Sequence, residues 1–345
     1  MIDDRQTIRT AAAGLVLVGV LVAAAAIAAA VGRVAIPLGD QARIVVNALR
    51  GEPFGGDPRL GSILLDVRLP RVALAGITGA GLALSGAALQ GLFRNPLADP
   101  YLVGVSSGAS VGAVLALEAG LPVGFYAAGA VQGAAFSGGL LAVAVTLALA
   151  RAGGETSIAS MLLAGVAVAA VGGAFTSFVL FSSGERIFAA YAWLLGGFNT
   201  ADWTLVRLVA IPTLIGGGLL FLLGPSLDLL QLDEEAAQAM GLRVERTKLG
   251  TIVAATLVAA AAVSASGLIA FVGLIAPHVV RLIVGPNHRR LVGLAALGGA
   301  AFLVLADLFA RTALPDGDLP VGVVTAAIGA PFFLALLRLR RDRVG

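Results

Sequence analysis

The chain has 345 residues, 59% of them hydrophobic and only 12% charged, with a net charge of +3. Soluble domains carry about 25% charged residues, so this composition excludes a water-soluble globule and makes lipid the solvent. With no cysteine and only two histidines, His278 and His288, disulfides and thiolate metal sites are excluded as well, and neither a metal centre nor a cofactor is expected.

After MIDDRQTIRT the first apolar run extends from Ala11 to about Gly32. Its roughly 20 residues suffice to cross a bilayer and exceed a signal-peptide core of about 7–15. Asp3 and Asp4 do not suit a signal n-region, so although AAAAIAAAV mimics a cleavage site, the run reads as an uncleaved first span. An external segment of about 33–71 follows, ending in RLPR. Further apolar runs are Val72–Phe93, Tyr101–Leu117, Val123–Ala150, Ile158–Phe181 and Leu205–Leu223. After a polar interval come Leu249–Ala265, Gly267–Val284, Leu291–Ala310 and Leu319–Leu337. In lipid each must be helical, because no other open element satisfies its own backbone. An all-α polytopic membrane protein of ten spans, forming a single transmembrane domain over 1–345, is the expected fold.

The split between spans seven and eight rests on the positive-inside rule. Arg243, Arg246 and Lys248 precede the pair, and Arg281, Arg289 and Arg290 follow it. Both flanks are therefore cytoplasmic, and the chain must cross twice, turning near Ser264–Gly267. An even count puts both termini inside, in keeping with Arg5 and Arg9 at one end and Arg338, Arg340, Arg341 and Arg343 at the other.

On this map RNPLADP is a cytoplasmic corner between spans two and three. Pro96 and Pro100 lack backbone donors and bias their predecessors away from helical dihedrals; Asn95 and Asp99 can bond local backbone and shape the turn. Gly104, Gly108 and Gly112 then recur every four residues, a small-xxx-small face along which another helix can approach.

Charges that depart from the rule carry information. Arg68 and Arg71 stand at the outer mouth of span two, and Arg311 at the outer end of span nine. Either they snorkel to headgroups, or they form a basic rim for an acidic partner. Asp307 precedes Arg311 by four residues, so a local helix pair accounts for an acid in an apolar span. On the cytoplasmic side, residues 225–248 contain Asp233, Glu234 and Glu235 before AAQAM, and Gly241 stops that run. This pattern predicts a short capped helix, lying on the membrane or docking a soluble partner.

The sequence shows no energy source. A GxxxxGK[ST] phosphate loop is impossible because Lys248, the only lysine, sits in ERTKLG. An ion-coupled carrier needs buried ionisable groups, and the spans offer mainly Asp307, with Glu118 near an end. The chain is either a passive pathway or driven by a partner; an intramembrane enzyme would need clustered acids or histidines that are missing.

Several motifs occur together and in order: RLPR, LSGAALQGLFRNPLADPYLVGVSSGAS, LLAGVA at 162–167, WLLGGF at 193–198, EEAAQAMGL at 234–242, GLIAFVGLIAPHVVRL at 267–282, and LADLFARTAL before LPVGVVTAAIGAPFF. From about Leu15 to Arg338 the chain resembles the FecCD-type permease subunit of ATP-binding-cassette importers for iron–siderophores, haem and cobalamin. The resemblance implies a type II importer fold with ten helices in the bacterial inner membrane. It further implies a homodimer with the pathway at its interface, two cytoplasmic ATPase subunits and an external substrate-binding protein. Arg68, Arg71 and Arg311 fall where family arginines engage carboxylates on the binding protein. Asp233, Glu234, Glu235, Ala236, Gln238, Met240, Gly241 and Leu242 fall in the helices that dock on the ATPase. Asn95, Pro96 and Leu97 match one cytoplasmic gate, and Ser157, Ile158 and Ala159 a second. Span five, the ERIFAAYAWLL segment, and spans eight and ten would flank the pathway, with His278 a helix-packing residue.

Two departures stand out. Asp233 replaces a family glycine, and the second gate is less hydroxyl-rich than in the cobalamin members. WLLGGFNTADW is closer to cobalamin-type members, so a corrinoid is the alternative to iron–siderophore or haem.

Overall fold

The computed structural model describes residues 4–52, 57–121, 129–151, 156–184, 186–315 and 317–341. Asp3, residues 123–128 of the fourth apolar run, Glu185 and Arg343 lie outside these residues. Among the described residues all regular structure is helical. In chain order, α1 (Asp4–Ala30), α2 (Leu38–Arg50) and α3 (Pro58–Ser62) lead through a π-helical turn, Ile63–Arg68, into α4 (Leu69–Leu92). A 3₁₀ turn, Pro100–Val103, precedes α5 (Val105–Glu118), which is followed by α6 (Ala130–Ala150), α7 (Ile158–Ser182) and the short α8 (Ile187–Leu194). Next come α9 (Trp203–Leu230), the short α10 (Glu234–Ala239), α11 (Val244–Ser266) and α12 (Val272–Val284). The series ends with α13 (His288–Thr312) and α14 (Val321–Arg341).

Each of the apolar runs has its helix, but they are not equivalent. Seven helical runs among the described residues are long and apolar enough to cross a membrane, and α5, α12 and α14 are shorter. Two of the shortfalls have a common cause. The expected third span starts as the 3₁₀ turn after Pro100, and the expected eighth opens with irregular backbone from Gly267, so α5 and α12 start late. That backbone is tolerated because it is packed in protein rather than facing lipid: Ser264, Ala265 and Ser266 at the end of α11 are buried. The expected turn near Ser264–Gly267 is therefore in place, but as an interior feature.

Another boundary is corrected. The polar interval taken as 225–248 is largely helical, since α9 continues through Pro225 to Leu230 and α11 begins at Val244. The connection proper is 231–243, with α10 inside it.

Two helices are central: α11 and the run containing α4 are each 78% buried over their most apolar stretch, against 11% for α1 and α7. Small residues set the close crossings, as packing in lipid requires. A Cβ on Gly79 of α4 or Gly299 of α13 would overlap the other's carbonyl oxygen, and the same holds for Gly108 of α5 and Gly138 of α6. The end expected to face outward is capped by α2, whose Ile44 packs with Ala29, Ile36 and Leu64. The π turn ends two residues before Pro70, whose ring cannot tolerate a regular turn against the carbonyl four residues earlier.

Candidate functional site

At the outer end, three arginines converge on the last turn of α1 and on α13. Arg68, presented by the π turn, donates from Nη1 to the carbonyls of Ala29 (2.6 Å) and Ala30 (2.9 Å), and from Nη2 to that of Val34. Arg311 donates to the carbonyl of Ala28. Together they satisfy carbonyls that the end of a helix leaves without intrahelical donors. Arg71 reaches from α4 to grip the Asp307 carboxylate of α13, with Nε at 3.0 and 3.1 Å from its two oxygens and Nη2 at 2.8 Å. Its remaining nitrogen, Nη1, meets Asp318 at 2.9 Å, just before α14. The local pair expected for Asp307 is therefore secondary: Arg311 stands 3.8 Å from it, while the bidentate partner comes from a distant helix. Beside this cluster a cleft of about 210 Å³ is lined in part by Arg33, Arg311, Thr312 and Asp318. Sequence reading passed over Arg33, although it too is a basic residue on the outer side.

The corner expected on the cytoplasmic side is built from local caps. Asn95 Oδ1 accepts from the Leu97 amide at 3.0 Å, and Asp99 Oδ1 accepts from that of Tyr101 at 2.9 Å, the side-chain turns such residues favour. Burial pushes the Asp99 carboxyl up to about 6, and the Tyr101 N–H pulls it the other way. Asn95 is exposed and Pro96 and Leu97 half-buried, but beyond Asp99 the chain turns back inward. There the Tyr101 hydroxyl donates to the Ile269 carbonyl (2.9 Å) and accepts its amide (3.0 Å). Gly104 has φ +89° and precedes α5, so its role is conformational. Gly108 and Gly112 are the two that face α6. Arg94 donates to the Leu230 carbonyl (2.7 Å) and Gln231 to that of Gly91 (2.8 Å), which ties the corner to the end of α9.

Asp233 caps α10 by accepting the Ala236 amide at 2.6 Å, Glu234 and Glu235 fill the first turn, and Gly241 follows with φ +87°. A capping carboxylate stabilises this end more than a glycine would. Ala237 is buried while Gln238, Met240 and Gly241 face outward and Leu242 is half-buried. Ser157 precedes α7, with its Oγ 3.5 Å from the Ser160 amide; Ile158 is half-buried and Ala159 exposed.

The structure also brings together groups that sequence reading did not pair. Lys248 meets Glu234, Glu245 and the carbonyl of Thr156. His288 Nδ1 lies 2.7 Å from Asp228. His278 stands edge-on to Phe332, centroids 5.8 Å apart, between α12 and α14. A cavity of about 430 Å³ opens between α8, the end of α11 and the start of α14, lined in part by Gln132, Trp193, Asn199, Thr200 and Ser266.

Known proteins share this arrangement. Residues 15–339 match the FecCD transport family, and the chain belongs to it. It is 42% identical to the cobalamin import system permease protein of Halobacterium salinarum, over 97% of this chain and 96% of that one. It is 40% identical to the hemin transport system permease protein of Yersinia pestis, over 82% and 85%. The fold matches a solved inward-facing conformation of a metal-chelate type ABC transporter, with a TM-score of 0.83, 32% identity, and coverage of 94% of this chain and 98% of that one. The chain is therefore a multi-pass permease subunit of the ATP-binding-cassette importer class in the cytoplasmic membrane. Such permeases are dimeric, work with ATPase and substrate-binding partners, and are not themselves enzymes.

Proposed function

We propose that two copies of this chain, both termini cytoplasmic, form the pathway of an importer for a metal chelate, in the class of iron–siderophore, haem or cobalamin. The observation that carries the reading is α10, a capped helix held at the cytoplasmic end with Leu232 and Met240 exposed. Such an element suits an ATPase, which the chain itself lacks. The 42% identity to a cobalamin permease over nearly the whole chain makes cobalamin the first chelate to try. The homodimer forms through α7, which leaves Leu163, Val166, Phe178 and Phe181 exposed, with α8, α12 and α14 along the pathway. Asn95–Leu97 and Ser157–Ala159 are its cytoplasmic gates. An external binding protein docks over Arg68, Arg71 and Arg311. The cleft beside Arg33 and Arg311 supports this site, whereas Arg68 and Arg71 reach it only by exchanging their present partners.

Co-expression with the ATPase encoded beside it should yield a stable complex. In proteoliposomes that complex should import the chelate bound by its binding protein only with ATP. Uptake by the permease alone, driven by a proton gradient and lost in Asp307→Asn, would establish a secondary carrier instead.

A further inference from the structure

Lys248 is the only lysine in the chain, and it is buried at the inner end of α11, its side chain 6% exposed. An ammonium group has three donors, and here each has an acceptor on a different element. Glu234 Oε2 on α10 lies at 2.7 Å, Glu245 Oε1 in the first turn of α11 at 3.1 Å, and the carbonyl of Thr156 at 3.0 Å. Thr156 is gripped twice more: its amide donates to Glu245 Oε2 (3.3 Å) and its hydroxyl accepts from Arg151 Nε (3.1 Å). The next residue, Ser157, opens α7.

We infer that Lys248 is a positioning residue that transmits movement of α10 to the Ser157–Ala159 segment at the start of α7. The inference rests on the importer reading, which assigns α10 to the ATPase and Ser157–Ala159 to a gate. Three features argue for transmission rather than simple anchoring. The acceptor on the gate side is a main-chain carbonyl, so displacement of the ammonium displaces the backbone from which α7 starts. The acceptors on the other side, Glu234 and Glu245, are each 40% exposed, so water can solvate them if they part. A lysine is a point charge with rotatable donors, able to keep its pairs while helices shift.

The test uses the full complex with its ATPase and binding protein. Because the chain has no cysteine, Ser157→Cys gives a single reporter per permease. In the Lys248 background, cross-linking between the two copies should change on ATP binding. In Lys248→Met and in Lys248→Gln, the complex should still assemble and hydrolyse ATP, cross-linking should no longer respond to nucleotide, and chelate imported per ATP hydrolysed should fall at least tenfold. Lys248→Arg, which keeps the charge but fixes its donors in a planar fork, should restore only part of the coupling. Normal coupling in Lys248→Gln overturns the inference, and so does normal coupling in Lys248→Met. Should Lys248→Met fail to assemble, Lys248→Gln decides, because its shorter, uncharged amide keeps a polar group in place but cannot bridge Glu234 and Thr156. Failure of the importer reading itself shows separately, as an unaltered chain that binds no ATPase.

Discussion

At the outer end Arg71 stands between Asp307 and Asp318; at the inner end Lys248 stands between Glu234 and Glu245. Both clusters place one cation between two carboxylates from neighbouring elements of the chain. They differ in how water reaches the acids. Asp307 is 2% exposed, although Asp318 beside it is 30% exposed, whereas Glu234 and Glu245 are both 40% exposed. They differ also in the cation: the planar fork of an arginine fixes the orientation of its carboxylate, while an ammonium tolerates re-aiming. The outer cluster is thus built to hold α4 against α13, and the inner one to stay joined while its parts shift. Charge balance follows the same division, with both carboxylates at the inner end bonded to a single lysine and the outer pair accompanied by Arg311 as well.

The comparison breaks first at Arg71. Arg71→Met strands a buried carboxylate, and removal of one partner of a buried pair costs about 3–5 kcal/mol. The purified protein in detergent should show a large drop in its unfolding midpoint, and a loss no larger than that of Lys248→Met would refute the contrast. Lys248→Met leaves acids that water can reach, and pairs with exposed partners contribute about 0.2–1 kcal/mol each. Its destabilisation should therefore be near 1 kcal/mol, read in the same assay. Salt sharpens the difference: at about 1 M the screening length is about 3 Å, so the Lys248→Met deficit should shrink while that of Arg71→Met persists. The smallest effect concerns the cap of α10. Asp233→Ala should cost about 1 kcal/mol of local helix stability and Asp233→Gly only a few tenths, visible as faster amide exchange across Glu234–Ala239. Equal exchange in both variants would mean that the cap does not hold this helix.

The helices were legible because lipid leaves an apolar run no other way to pair its backbone, and hydrophobicity alone marks such runs. The capped α10 was legible for a related reason: acids at its start and Gly241 at its end are local signals. What stayed hidden was contact through space. Asp307 has an arginine four residues away, so the helix rule supplied a partner, yet the fold supplies a better one from 236 residues earlier. Lys248 served in the sequence only to exclude a phosphate loop, because nothing in its spacing points to Thr156, 92 residues away. The interior turn after Ser266 was hidden as well, since composition marks a break but does not say whether water or protein surrounds it.

One last consequence lies in the glycines where three chain breaks meet. The Val321 amide bonds the Gly196 carbonyl (3.0 Å) and the Gly197 amide that of Ser266 (2.8 Å). Side chains at Gly267 or Gly322 would overlap the carbonyls of Trp193, or of Leu195 and Leu268. The outer end of α14 is thereby fixed to the ends of α8 and α11 at a single fulcrum. With 21 residues at 1.5 Å each, α14 is a lever arm about 30 Å long. A tilt of about 10° at the fulcrum sweeps its far end through about 5 Å, one helical pitch.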